Sequence, residues 1–267
     1  MSLVRIAAVV LRQFYLMRGS MSRIVPLFAW VAIDMVLWGF ITRYLNTVSA
    51  SGLNFVPVFL GAVLLWDFFT RVMQGVTIAF FEDVWSRNFL NIFSSPLSLG
   101  EYLTGLVATS IATSSLGLAV MLLLATTVFG LSFFVYGMMI VPFLLVLFLF
   151  GIALGIFSSA VVLRLGPASE WFVWPIPALI TPFVGVFYPL ATLPHPMRVI
   201  AWFLPPSYVF EGMRSIISGT PYPVGNLILG GGLSLLYILL ACIAFRGVYR
   251  YAVRTGLIAR YSAESVS

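Results

Sequence analysis

Residues 182–219 read PFVGVFYPLATLPHPMRVIAWFLPPSYVFEGMRSIISG. The stretch lies between two long apolar segments, but proline interrupts it too often for it to be a third. Its order is an aromatic-proline pair, a short turn, Leu-Pro, an amphipathic stretch and Pro205-Pro206, followed by Tyr208, Glu211, Arg214 and Gly219. Pro189 and Pro194 punctuate two short helical pieces, and Trp202, Phe203 and Tyr208 are of the aromatic type that favours the headgroup level of a bilayer. Glu211 and Arg214 stand three apart and can pair on one helix face; a surface ion pair of small energetic worth is one reading of them. Eleven of the fifteen prolines fall between Pro167 and Pro223. That marks one region of irregular backbone, which a membrane tolerates only where it is buried in protein or lines a cavity.

The remainder is apolar enough to make a membrane the only suitable solvent. Of 267 residues, 61% are hydrophobic and 8% charged, against roughly 25% charged in soluble domains. The apolar runs reach the length of about 20 residues needed to cross a bilayer. We read six spans, at 24–44, 56–81, 103–129, 134–163, 171–190 and 225–245. The expected fold is therefore all-α and polytopic. It forms a single transmembrane domain over 1–267, comprising an interfacial helix at 1–23, a six-span bundle at 24–245 and a cytoplasmic tail at 246–267.

Charge placement adds an orientation. All fourteen basic residues are arginine. With the N-terminus inside, ten arginines fall in inside segments (5, 12, 18, 23, 87, 164, 246, 250, 254 and 260) and three, Arg43, Arg198 and Arg214, in outside loops. The positive-inside rule then places both termini in the cytoplasm. This distribution also explains the net charge of +6 without nucleic acid, because the arginines flank spans instead of forming a patch. Leu3, Ile6, Val10, Phe14 and Met17 share one helical face opposite Arg5 and Arg12, which predicts an amphipathic helix in the cytoplasmic interface. Arginines at 5, 12 and 18 break any apolar core there, and no small-residue cleavage site follows, so a cleavable signal peptide is not expected.

Several activities are excluded or disfavoured. Without lysine the chain cannot hold a P-loop of the usual kind. With one histidine and one cysteine it cannot form a clustered His/Cys metal site, and no catalytic set is visible. Cys242 reads as a small packing residue, and His195 as an exposed loop residue. No internal repeat is seen of the kind that marks many secondary transporters.

Between spans two and three lies FEDVWSRNFLNIFSSPLSLGEYLTG, 81–105. Glu82 and Asp83 precede a short helical pattern in which Val84, Phe89 and Ile92 share an apolar side, with Arg87, Asn88 and Asn91 presenting polar groups. Ser94, Ser95 and Pro96 end it, and Ser98 to Glu101 forms a capping-box pattern that starts the next helix. A helix parallel to the membrane with apolar knobs suits a soluble partner's groove; a plain solvated loop fits the same residues. Within the spans, Asp34, Asp67 and Arg71 are costly charges. Asp67 and Arg71, acid four before base, can pair along their helix. A structural pair and a role in a translocation path or dimer interface both remain open, and Asp34 has no local partner.

The broken hairpin and the loop at 81–105 together resemble the ABC-2 type permeases, membrane subunits of ATP-driven exporters. The resemblance rests on Asp83, then 87–93, then Ser95-Pro96-Leu97-Ser98, on the proline-rich hairpin, and on six spans with a lead-in helix. It implies that Glu82, Asp83, Val84, Arg87, Asn88, Phe89, Leu90 and Phe93 couple to an ATP-binding cassette subunit. It implies that Pro189, Pro194, Pro205, Tyr208, Glu211 and Arg214 belong to an exofacial re-entrant hairpin and outer gate. It further implies a homodimer or a dimer with a close paralogue, two ATPase subunits carrying ATP and Mg, contact with membrane lipid, and a bacterial inner membrane. The substrate expected is a drug, a lipid or a lipid-linked glycan, moved outward without chemistry on this chain. A proton-coupled secondary transporter using Asp34 and Asp67 is the alternative.

Overall fold

The computed structural model describes residues 1–48, 56–86 and 88–257. Helix α1 covers Leu3–Arg18 and α2 Met21–Val48. A π-helical turn at Val56–Leu60 leads into α3, Gly61–Trp85, and the short α4 occupies Phe89–Ser94. Helix α5 spans Leu99–Thr127, and a 3-10 stretch at Phe133–Met139 feeds α6, Ile140–Leu165. Next come α7 (Glu170–Val173), α8 (Ile176–Val184), α9 (His195–Trp202), α10 (Pro205–Ile217) and α11 (Val224–Arg254). The described chain is helical with no strand, which gives the all-α, multi-pass class.

Five helices are individually long and apolar enough to cross a membrane: Phe28–Val48, Val56–Trp85, Leu99–Thr127, Phe134–Leu165 and Val224–Arg254. The sixth expected span, 171–190, is not one continuous helix but the pieces α7 and α8. Pro175 and Pro177 sit at the start of α8 and Pro182 lies inside it. Each removes a backbone donor and crowds the turn before it. Helix α8 then ends on Gly185, whose φ of 65° lies in the left-handed region that glycine enters without penalty. The last helix also runs further than the expected span, to Arg254 instead of 245.

Helices α3 and α6 form the buried centre, with α5 against α3 and α11 along α6. Small residues allow this approach. A Cβ on Gly155 of α6 would lie 2.7 Å from Val76 Cβ and 2.9 Å from the Met73 carbonyl oxygen of α3. Ser110 Oγ on α5 donates to the Val72 carbonyl of α3 at 2.8 Å. Stacked Phe69 and Phe150 rings, 5.6 Å apart, fill the space between α3 and α6. Helix α2 is peripheral and turns Trp30, Ile33, Leu37, Phe40 and Tyr44 outward.

Candidate functional site

The chain reverses at α4, and three elements converge there. Pro96 and Ser98 set the restart. The Ser98 hydroxyl accepts from Glu101 N at 3.3 Å, and the Glu101 carboxylate accepts from Ser98 N at 2.9 Å, the reciprocal capping box that the S-x-x-E spacing predicts. The same carboxylate reaches beyond its helix. It accepts from Ser2 N at 2.6 Å and faces Arg5 at 3.4 Å.

Glu82 and Asp83 occupy the last turn of α3 instead of opening the short helix, and both are buried. Val84, expected to share a face with Phe89, likewise belongs to α3. Asp83 is fully buried and ion-paired with Arg12 of α1, and Tyr102 of α5 donates to its Oδ2 at 2.7 Å. Gln13 Nε2 donates to the Ala79 carbonyl at 2.9 Å. Val9 packs where Gly105 leaves no side chain, 2.6 Å from the position a Cβ would take. Thus α1 is fastened to α3 and α5 through Val9, Arg12 and Gln13, while Leu3 and Phe14 of the expected apolar face stay exposed.

Phe93 holds α4 itself, with ring centroids 5.3 Å from Tyr102 and 4.9 Å from Tyr249 of α11. Asn91 donates to Asn88 at 2.8 Å on the exposed side. Phe89 and Leu90 form the first turn of α4; Arg87 lies outside the described residues. Trp85 Nε1 donates to Glu170 Oε2 at 3.1 Å, tying the end of α3 to α7.

A cavity of about 650 Å³ begins beside this junction. Asp34 of α2 and Asp67 and Arg71 of α3 line its deep end, and Glu82, Trp85 and Trp174 its α4 end. Asp67 lies near the middle of α3, roughly 27 Å from Trp85 at 1.5 Å per residue. The structure therefore brings the three intramembrane charges into one chamber.

At the opposite end of the bundle, the proline-rich stretch is a folded clasp. Pro189 precedes a 3-10 turn at Leu190–Thr192, Pro194 caps α9, and Pro205 opens α10. Glu211 pairs with Arg214 at 2.8 Å and also accepts from Leu190 N at 2.7 Å. Arg214 Nη1 donates to the Gly185 carbonyl at 2.6 Å. The pair thus braces the two turns that follow α8. Tyr208 donates to the Trp202 carbonyl at 2.7 Å, and Tyr222 to the Tyr208 carbonyl at 2.7 Å. Burial pushes the Tyr222 hydroxyl up to about 12.

Sequence reasoning did not single out Tyr102, Gln13, Trp85 or Glu170. Their partners lie 19, 66 and 85 positions away. Of the residues that meet them, Arg12 carried a signal, as a charge shared with Arg5 on the polar side of an amphipathic helix.

A search of curated proteins finds no match to the chain. The family model described as ABC-2 type transporter matches residues 5–218. That match takes in α1, the α4 junction, the cavity wall and the clasp, and the chain belongs to the ABC-2 type transporter family as a multi-pass membrane permease.

Proposed function

We propose that this chain is the transmembrane subunit of an ABC exporter, moving a hydrophobic or amphipathic substrate outward. A drug, a lipid and a lipid-linked glycan are the candidate classes. The observation that carries the reading is the α4 junction. A six-residue helix between α3 and α5 is fastened through Phe93 to α5 and α11 and adjoins the buried Asp83–Arg12 pair. A partner pressing on α4 acts on packed helices and not on a slack loop.

The free energy comes from ATP with Mg²⁺ on a separate subunit, two copies per transporter, since a chain without lysine supplies no Walker A site. Residues 82–93 receive the push from that subunit. The clasp around Glu211 and Arg214 forms the outer gate. Two copies of the chain, or this chain and a close paralogue, complete the path. The arginine distribution supports a cytoplasmic side for α4 and both termini, with the broken α7–α8 segment as the sixth crossing, and the family resemblance is the ground for a bacterial inner membrane.

The test is purification of the tagged chain from its native membrane in gentle detergent. A stoichiometric ATP-binding subunit with vanadate-sensitive turnover supports the reading. Recovery of the chain alone, without ATPase, overturns it. Arg87→Glu and Phe89→Ala should insert normally but uncouple ATP turnover from transport. Wild-type coupling in both variants removes the role given to α4.

A further inference from the structure

The last helix carries a line of outward-facing positive charge. Helix α11 packs through Ser234, Ala241, Phe245 and Ala252, all buried. Arg246, Arg250 and Arg254 are exposed, and at 3.6 residues per turn they fall on the side opposite that packed face. Leu235, Leu239 and Ile243 are exposed on the same outward side. The spacing 235, 239, 243, 246, 250, 254 therefore makes one continuous line, apolar along the span and basic beyond it.

Nothing in the sequence near this line neutralises it. From 212 to 263 there is no acidic residue. Among the described residues, the three arginines make no ion pair. Residues 258–267 add Arg260 and Glu264, one charge of each sign, which leaves the balance unchanged. Arg164, near the end of α6, lies with Cζ 3.6 Å over the Tyr251 ring, which holds a fourth guanidinium beside the line. A cation in the last turn offsets the helix dipole. That accounts for Arg254 but not for Arg246 and Arg250, which precede the last turn.

The placement suits a bilayer surface. Arg246 and Arg250 follow Ile243 by roughly 4.5 and 10 Å at 1.5 Å per residue, against a headgroup layer roughly 5–8 Å deep. Helical side chains lean towards the N-terminus, so all three arginines lean back onto the apolar part of the line. Arg254, one turn further out, stays within a screening length of roughly 8–10 Å of that layer. A second copy docked on this face in the same orientation would set arginine against arginine. A soluble acidic partner would meet the arginines and leave Leu235 to Ile243 uncovered. A phospholipid covers both, with acyl chain on the leucines and phosphate among guanidinium groups that bond it in bidentate fashion.

We propose that the end of α11 binds the headgroup of an anionic phospholipid, with Arg246 and Arg250 on the phosphate. Arg254 and Arg164 add the field that selects a net negative lipid over a zwitterionic one. The inference rests on the multi-pass class alone, so its failure leaves the exporter reading untouched.

The test uses the full chain in non-ionic detergent, titrated with dioleoylphosphatidylglycerol, dioleoylphosphatidylcholine and inorganic phosphate, with bound lipid counted by native mass spectrometry. Phosphatidylglycerol should bind saturably, and phosphatidylcholine at least severalfold more weakly. Arg246→Gln and Arg250→Gln should each weaken phosphatidylglycerol roughly fivefold, and the triple change including Arg254→Gln roughly 100-fold. Glutamine keeps the helix propensity of an exposed position, and replacing all three arginines with lysine should recover most of the affinity. Arg43→Gln, an exposed arginine at the other end of the bundle, should bind phosphatidylglycerol as wild type does. Equal affinity for the two lipids, wild-type affinity in the triple glutamine variant, or an equal loss in Arg43→Gln overturns the proposal. Displacement of phosphatidylglycerol by inorganic phosphate at matched concentration would reduce the site to a free-phosphate site and overturn the lipid assignment. Loss of a co-purifying protein from the triple glutamine variant, with lipid binding unchanged, would make the line a protein-docking face instead.

Discussion

Replacing Arg12 with alanine should loosen α1 from the bundle, and the cost can be worked from the contacts. Asp83 is fully buried, and Arg12 is its counter-charge. Without the guanidinium, the carboxylate keeps the Tyr102 hydroxyl at 2.7 Å and, among the described residues, no other ion-pair partner. Breaking one side of a buried ion pair typically costs about 3–5 kcal/mol. The Arg12 side chain is 28% exposed, so screening reduces that to about 2–3 kcal/mol. Asp83→Asn retains an acceptor for Tyr102 and should cost less, about 1–2 kcal/mol. In the double variant no unpaired charge remains, so its loss should fall short of the sum by about 1–2 kcal/mol. The assay is a double-mutant cycle on the purified complex, read by the fraction surviving heating on size exclusion. At about 2–4 °C per kcal/mol, Arg12→Ala should lower the midpoint by about 4–12 °C. Strict additivity, or an Arg12→Ala midpoint equal to wild type, would refute the claim that this pair fastens α1.

Four further outcomes are expected. Phe93→Ala removes the rings shared with Tyr102 and Tyr249; membrane insertion should persist while substrate-stimulated ATPase of the complex falls. Gly155→Leu forces side-chain atoms onto the α3 backbone, which is 2.9 Å from the ideal Cβ, and overpacking should cost about 1–3 kcal/mol or more, seen as a lowered thermal midpoint. Arg214→Met frees the Gly185 carbonyl and leaves Glu211 with Leu190 N alone; export should drop while assembly with the partner is unchanged in a pull-down. Tyr222 has a folded value of about 12 against an ordinary 10, so the folded state holds its proton more tightly; stability is complete below pH 10 and falls as pH rises towards 12. Tyr222→Phe should flatten that loss in an alkaline melting series, and an unchanged slope would deny Tyr222 a part in it.

The sequence made the architecture legible where local physics decides it. Apolar runs gave the five long spans, and the S-x-x-E pattern gave the start of α5 together with its reciprocal cap. Proline density located the broken region, but a hydropathy reading still joined 171–190 into a span, because it counts apolar residues without asking whether each has a backbone donor. The error at Glu82, Asp83 and Val84 has a different origin. Two acids next to each other resemble the beginning of a solvated helix. Only the distant Arg12 and Tyr102 make it tolerable for α3 to continue through them. A window of local sequence holds no trace of partners so far along the chain. Leu3 and Phe14 show the converse case: residues that the helical pattern groups as an apolar face stay exposed, and burial within the protein fell to Val9 and Gln13.

The two halves of the candidate site are joined by one uninterrupted rod. Helix α3 runs without a break from Gly61 to Trp85. Asp83, in the α4 junction, and Asp67, in the chamber wall, are sixteen residues apart on it, roughly 24 Å at 1.5 Å per residue. A close-packed helix interior shifts as a body more readily than it compresses. Displacement at α4 therefore reaches Asp67 as a shift or tilt of α3, and Gly155 and Ser110 are the neighbours past which it must slide. Gln13 moves with it, because it bonds to Ala79 and lines the same chamber. Asp34 does not, since α2 is peripheral and only lightly packed against α3. A displacement of α3 relative to α2 changes the separation of Asp34 from Asp67, which line one cavity from those two helices. The arrangement gives a physical route from the α4 junction to the middle of the bundle, without a break inside α3.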